Sequence, residues 1–289
     1  MEDIERNLKA LEFLKEGKFA SAQALFIKNM KLYPSYSTYN NLGRFFAEYG
    51  NERKDGKVVS AKKTAFRYLK KSLELSPNIS AYRNLAYFSY ELYLYGNGSL
   101  DDAETYQEEV LKLHGNYEDI YNYAVILYEL GKYNLGLEVL DKIVKNYNEA
   151  SLLYLLYLLK LDKLSIKTVK VYQEMIDGLD LFAQQYFYYY CQDYSRVVSV
   201  TESFASCCLE VDQDSLAVYI DSLLMISSAI EIKKHLNEIC KKIEVESKDF
   251  MDLLNNEPKR NLQIKRYQLK PIMQAVCGFC GCPIHNTAW

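Results

Sequence analysis

Residues 10–34 read ALEFLKEGKFASAQALFIKNMKLYP, and this stretch decides the fold. Ala10 and Ala22 lie twelve residues apart, a spacing that suits two short antiparallel helices whose backbones cross closely at small side chains. Gly17 lies between the two helices, where the chain must turn, and Pro34 stands where the second helix must end. The stretch therefore predicts a tight pair of antiparallel helices.

The same pattern of small residues returns along the first half of the chain. The small residue of the first helix recurs at Gly43, Ala86 and Ala124, and that of the second helix at Ala65, Ala103 and Gly136. Successive first helices are spaced by 33, 43 and 38 residues. The extra length falls in two polar, turn-rich stretches, 51–57 and 96–99, which indicate longer loops between paired helices.

Three motifs carry a family resemblance: Ala10-x2-Phe13-x3-Gly17-x4-Ala22-x3-Phe26-x7-Pro34, Leu42-Gly43-x2-Phe46 and Asn84-Leu85-Ala86. With them, residues 3–148 resemble the tetratricopeptide repeat family. The resemblance implies an all-α, right-handed helical-repeat solenoid. We expect repeats over residues 1–205, the last two of them degenerate, and capping helices over 206–255. Residues 256–289 are expected to form a short, flexible, extended tail that is rich in cysteine.

An asparagine lies two residues before the small residue in three successive first helices, at Asn41, Asn84 and Asn122. First helices of stacked pairs line the concave side of a solenoid, so the three amides would form a ladder along a groove. An amide offers donors and an acceptor, and can pair with the backbone of an extended peptide whatever its side chains. The resemblance implies the same, because some peptide-binding members of the family use this position for such a ladder.

Residue types that anchor interfaces adjoin the ladder positions. Four of them are expected to face the same groove: Arg44, Arg83, Tyr87 and Tyr121. Two alternatives stay open at this point. The asparagines could instead bond to the backbone of neighbouring helices, and the solenoid could be a spacer that binds nothing.

Composition excludes several classes of function. The net charge is −3 and no long basic run occurs, which argues against nucleic acid as a partner. Neither a secretory signal nor an apolar stretch long enough to span a membrane is visible, so we expect a cytoplasmic protein with free thiols. His114 and His235 are expected at the surface, and no phosphate loop, nucleophile elbow or His-Glu-x-x-His motif occurs. We therefore expect no enzyme.

The chain ends in an unusual cluster, in which Cys277, Cys280, Cys282 and His285 fall within nine residues. Three thiolates and an imidazole could bind zinc, although structural zinc sites usually join two ligand pairs across a longer loop. The cluster could also be the substrate of a peptide-modifying enzyme, as in a ribosomally made precursor peptide. A third alternative is a terminus with reactive thiols that folds back into the protein's own groove. The glycines between the cysteines predict that the thiols are accessible to solvent.

These observations favour a non-enzymatic module that binds an extended protein or peptide segment in its groove. The main rival is a carrier or precursor whose tail, residues 277–289, is modified by a partner enzyme. A peptide-responsive regulator is a third class, but it would normally carry an N-terminal helix-turn-helix, and here the first repeat begins by residue 3.

Overall fold

The computed structural model describes residues 2–50, 58–207 and 209–280, and within them all regular secondary structure is helical. The α-helices are α1 (Glu2–Lys15), α2 (Phe19–Leu32), α3 (Tyr36–Tyr49), α4 (Val58–Leu75), α5 (Ile79–Leu94), α6 (Leu100–Lys112), α7 (Tyr117–Glu129), α8 (Tyr133–Asp141), α9 (Ala150–Lys160), α10 (Gln173–Asp177), α11 (Leu181–Tyr190), α12 (Tyr194–Glu202), α13 (Gln213–Ile226), α14 (Ala229–Lys234), α15 (Leu236–Lys242), α16 (Ser247–Asn255) and α17 (Glu257–Arg266). Short 3-10 helices cover Val169–Tyr172 and Ala205–Cys207. The predicted all-α helical-repeat fold is confirmed.

The chain divides into two compact units, Met1–Ile143 with Ile272–Trp289, and Val144–Pro271. These boundaries differ from those expected at 205 and 255. Residues 272–280 belong to the first unit because they pack among its helices, although the sequence suggested a free tail there.

Helices α1 to α8 of the first unit pack as four consecutive pairs, α1 with α2, α3 with α4, α5 with α6 and α7 with α8. The small residues that predicted these pairs lie at the contacts. Six of the alanines involved have no exposed surface: Ala10, Ala22, Ala65, Ala86, Ala103 and Ala124. Gly17 and Gly131 form the turns inside the first and fourth pairs with φ of 71° and 72°, a conformation that other residues rarely adopt.

The first helices start at defined positions because side chains satisfy their free N–H groups. Ser35 follows Pro34 and caps α3 in a capping box with Thr38, whose hydroxyl accepts from the Ser35 N–H at 3.0 Å. Asn116 caps α7 in the same way, together with Asp119. Each cap contributes about 1 kcal/mol to helix stability. The caps thereby fix the register of the helices that carry the predicted ladder.

The second unit contains α9 to α17, with an apolar core that includes Tyr219, Ile220 and Phe250. Helices α9 to α12 cover the two degenerate repeats expected from the sequence, and α13 to α16 lie where capping helices were expected. No helix in the described part of the chain is long and apolar enough to cross a membrane.

Helix α17 corrects the expectation that residues 256–289 form an extended tail throughout. The side chain of Asn256 accepts from the Lys259 N–H at 3.1 Å, and Pro258 lies in the first turn, where its missing N–H costs nothing. Arg260 is buried and donates to the carbonyl oxygens of Leu253 and Leu254 at 3.1 and 3.3 Å. These tertiary contacts hold a helix whose sequence is otherwise strongly polar.

Candidate functional site

Buried asparagines line one side of the first unit. Asn40 and Asn41 lie on α3, Asn84 on α5 and Asn122 on α7, and each is at most 4% exposed. A buried amide must find hydrogen-bond partners or lose free energy. The partners in this structure come from the far end of the chain.

The segment 272–280, called here the docked segment, has no regular secondary structure and runs past α7, α5 and α3 in that order. Asn122 Nδ2 donates to the Gln274 carbonyl at 3.0 Å, and the Gln274 N–H donates to Asn122 Oδ1 at 2.7 Å. Asn41 pairs in the same way with Cys280, whose N–H donates at 2.7 Å and whose carbonyl accepts at 3.1 Å. Two side-chain amides therefore each donate to and accept from the backbone of one residue, as the backbone of a neighbouring β-strand would.

Two further amides converge on a single carbonyl between these points. The Gly278 carbonyl accepts from Asn40 Nδ2 at 2.7 Å and from Asn84 Nδ2 at 2.9 Å. Asn84 Nδ2 also donates to Asn40 Oδ1 at 2.9 Å, and Arg44 Nη1 donates to Asn84 Oδ1 at 2.8 Å. The network orients both amides toward the segment.

The predicted asparagines all contact this segment, and Asn40 joins them although the sequence analysis did not single it out. Asn40 precedes Asn41 by one residue, the same offset at which Arg83 precedes Asn84. The docked segment is reached from both positions because it lies directly over α3. The doublet Asn40-Asn41 is the signal in the sequence that could have identified the fourth amide.

Phe279 fills an apolar pocket beside the ladder. Its ring is 7% exposed and stacks on Phe26 with centroids 6.0 Å apart and an interplanar angle of 10°. Both rings belong to a cluster of buried apolar side chains, called here the Phe279 pocket, which also contains Ala10, Leu11, Ala22, Leu42 and Phe45. Three helices, α1, α2 and α3, thus contribute to one aromatic anchor site.

Gly278 leaves no room for a side chain. A Cβ atom at this position would lie 1.8 Å from Asn84 Oδ1 and 2.5 Å from Asn84 Cγ. Because Asn84 is held by Arg44 and Asn40, it cannot move away without breaking the network. The glycine is therefore a requirement for close approach at this position.

No protein-family model and no curated protein matches the sequence. Among solved structures, the chain is similar to a tetratricopeptide repeat protein from Parabacteroides merdae, with a TM-score of 0.55 and 15% sequence identity. The match covers 88% of this chain and 98% of that one. The chain has the tetratricopeptide repeat fold. At this low identity the likeness concerns the fold alone.

Within this tetratricopeptide repeat fold, the cysteines differ from their expected accessibility. Cys280 is 1% exposed, and its thiol contacts Asn40 Nδ2 at 3.4 Å and is hydrogen-bonded to Ser80. Burial raises the pKa of the Cys280 thiol to about 11, so the thiol is protonated near neutral pH. Cys277 is partly buried beside the Phe279 pocket. The expectation of open thiols is wrong for Cys280, because helices of the repeats cover it.

The remaining members of the cysteine and histidine cluster, Cys282 and His285, lie outside the described residues. Within the described part of the chain, no group of three or more His, Cys, Asp or Glu side chains could hold a metal ion. Zinc binding by Cys277, Cys280, Cys282 and His285 stays a prediction.

Arg44 and Tyr87 border a cavity next to the docked segment. The guanidinium of Arg44 pairs with Glu48 and lies 5.8 Å from the centre of the Tyr87 ring. Burial raises the pKa of the Tyr87 hydroxyl. The cavity has a volume of about 290 Å³ and is also lined by Lys62, Glu91 and Ala275 of the segment. The predicted placement of Arg44 and Tyr87 at the groove therefore agrees with the geometry.

Arg83 and Tyr121 have different surroundings. Arg83 Nε donates to Asp119 Oδ1 at 2.8 Å, and the Asp119 side chain is fully buried. This ion pair joins α5 to α7, so the guanidinium of Arg83, which was expected to face the groove, is paired with a carboxylate. Tyr121 is 7% exposed and belongs to the core of the unit.

Proposed function

We propose that this protein is a non-enzymatic interaction module that binds an extended polypeptide segment through side-chain amides on α3, α5 and α7. The observation that supports the proposal is the set of hydrogen bonds from Asn40, Asn41, Asn84 and Asn122 to the backbone of the docked segment. Backbone groups are common to all peptides, so the ladder can hold a segment supplied by a partner as well as one supplied by the chain itself.

The energetics suit reversible binding. A neutral hydrogen bond contributes about 0.5–1.5 kcal/mol net, and leaving a buried donor or acceptor unpaired costs about 1–3 kcal/mol. A ladder of such bonds gives an interaction of moderate strength and broad tolerance for side chains. Specificity must then come from other contacts along the groove.

The experiment replaces Asn41, Asn84 and Asn122 together with alanine in the full chain and follows docking through the thiol of Cys280. A maleimide reagent labels this thiol only when the segment leaves the groove, because the docked thiol is 1% exposed. Fragmentation of the labelled peptide locates the label. We expect the labelling rate of Cys280 to rise by at least about tenfold, which corresponds to 1.4 kcal/mol, while the helical circular-dichroism signal stays unchanged.

A matched control replaces three exposed helical asparagines of the second unit, Asn237, Asn255 and Asn261, with alanine. This control should leave the labelling rate unchanged. Equal rates in the ladder variant and the control would contradict the proposal.

A second candidate function is that of a carrier or precursor whose tail is modified by a partner enzyme. The concentration of Cys277, Cys280 and Cys282 within six residues favours it. Since docking buries Cys280, such an enzyme would act on the released segment. A covalent mass change confined to the C-terminal peptide of protein from its native host would support this function, and an unmodified peptide would exclude it.

A further inference from the structure

We infer that the groove selects a glycine followed directly by an aromatic residue, and that the chain's own Gly278-Phe279 pair occupies this site until a partner segment with the same pair displaces it. The inference rests on the proposed function, because it names the sequence that the amide ladder receives. It assigns selectivity to one short part of a segment whose backbone is held by the amide ladder.

The glycine requirement follows from the position of Asn84. Its amide donates to the Gly278 carbonyl at 2.9 Å, and the space where a Cβ would stand is already occupied by Oδ1 at 1.8 Å. Contacts below 3.0 Å do not occur at real Cβ atoms, so any other residue must displace the amide. The same side chain thus supplies a backbone hydrogen bond and excludes larger residues.

The aromatic requirement follows from the Phe279 pocket. The residue after the glycine is 7% exposed and belongs to a cluster of buried apolar side chains from α1, α2 and α3. In this structure that residue enters the apolar pocket and stacks on Phe26. A flat ring matches the stacked geometry, and aromatic pairs of this kind contribute beyond their buried area. A smaller aliphatic or polar residue would leave part of the pocket empty.

Three other positions of the docked segment place few demands on sequence, whereas Met273 and Cys280 are buried. Ile272 is 65% exposed, and Ala275 is exposed beside the cavity that Arg44 and Tyr87 border. Gln274 is held through its backbone N–H and carbonyl. A partner can therefore differ from the chain's own segment at these positions and still satisfy the ladder.

The chain's own segment is a strong competitor because it is linked to the groove. A linked ligand acts at an effective concentration in the range of about millimolar for flexible connections. A free partner with equal intrinsic affinity must approach that concentration to displace it. The docked segment consequently sets a minimum concentration that a partner must reach before it binds.

The test uses the full chain and synthetic peptides of residues 272–280 in which both cysteines are replaced by serine. Excess parent peptide should release the docked segment and accelerate labelling of Cys280 by at least about tenfold. Peptides with Gly278→Ala or Phe279→Ala should not accelerate it, whereas a peptide with Ile272→Ala should act like the parent. The exposed Cys207 and the buried Cys191 report within each sample whether the body of the protein is intact.

The same pair is tested within the chain. Gly278→Ala in the full chain should raise the labelling rate of Cys280 at least about tenfold. Gly178→Ala is the matched control, since a Cβ there has its nearest contact at an ordinary 3.4 Å. Equal action of the parent and substituted peptides would overturn the selectivity while leaving the proposed function intact. If neither the parent peptide nor the ladder variant changes labelling, the proposed function and the inference are both refuted.

Discussion

Truncation of Phe279 to alanine isolates the contribution of the aromatic anchor. Phe279 is 7% exposed, and its ring is stacked on Phe26. Full burial of a phenylalanine side chain contributes about 1.5–3 kcal/mol relative to exposure. Replacement by alanine in a closed core costs more, about 3–5 kcal/mol, but here the end of the segment can leave the pocket and avoid the cavity. We therefore expect a loss of about 2 kcal/mol in docking free energy, close to the middle of the range for burial.

A loss of about 2 kcal/mol increases the undocked population roughly 30-fold, at 1.4 kcal/mol per factor of ten. Labelling of Cys280 measures this population directly, because the buried thiol reacts only in the undocked state and the reaction can be kept slow relative to redocking. The exchange rate of the Cys280 amide, which donates to Asn41 Oδ1, gives a second measure. Both rates should rise by the same factor.

Ile272→Ala is the control, because Ile272 belongs to the same segment but is 65% exposed. It should change neither rate. If Phe279→Ala also leaves both rates unchanged, the ring does not hold the segment, and the pocket contributes nothing to docking.

Three further predictions concern charge and buried polar groups. Docking raises the pKa of the Cys280 thiol from 9.0 to about 11, so docking is stable below pH 9 and weakens as pH rises toward 11. Chymotryptic cleavage after Phe279 should therefore increase over this pH range, and a Cys280→Ser chain should show no such increase. Neither amide atom of the buried Asn7 has a hydrogen-bond partner among the described residues, so Asn7→Leu should raise the free energy of unfolding in urea by about 1 kcal/mol, and a decrease would contradict this reasoning. Removal of Arg83 leaves the carboxylate of Asp119 buried and unpaired, so Arg83→Ala should lower the free energy of unfolding by about 3 kcal/mol in the same assay, and a change below about 1 kcal/mol would refute the structural role of the pair.

The position of the ladder could be predicted because repeated helices present equivalent residues to the same side. Asn41, Asn84 and Asn122 share one offset from a buried small residue, and all three contact the docked segment. The same offset did not reveal that the guanidinium of Arg83 pairs with Asp119, and contact of Arg83 with a partner segment stays a prediction. Whether a guanidinium meets a ligand or a carboxylate depends on Asp119, a residue of the next first helix, and no repeat pattern indicated that pairing.

The accessibility of Cys280 could not be predicted from its neighbours in the chain. Glycines on either side of the thiol suggested an open, flexible terminus. In the structure Gly278 instead permits close contact with Asn84, and α3 and α5 supply the atoms that cover the thiol. Glycine allows a flexible backbone, but the residues of α3 and α5 that restrict it here lie far away in the sequence.

The sequence by itself determined helices α1 to α8, their pairing and the side of the first unit that carries amides. These features depend on periodicity, caps and small residues within about 40 positions of one another, and such short-range patterns are written directly in the chain. Only the tertiary structure decided what the amides bind. The bond between Asn41 and Cys280 spans 239 residues, and that between Asn122 and Gln274 spans 152. Contacts over such distances depend on how the helix pairs stack and where the chain returns, so the fit of Gly278 and Phe279 into the groove is visible only in three dimensions.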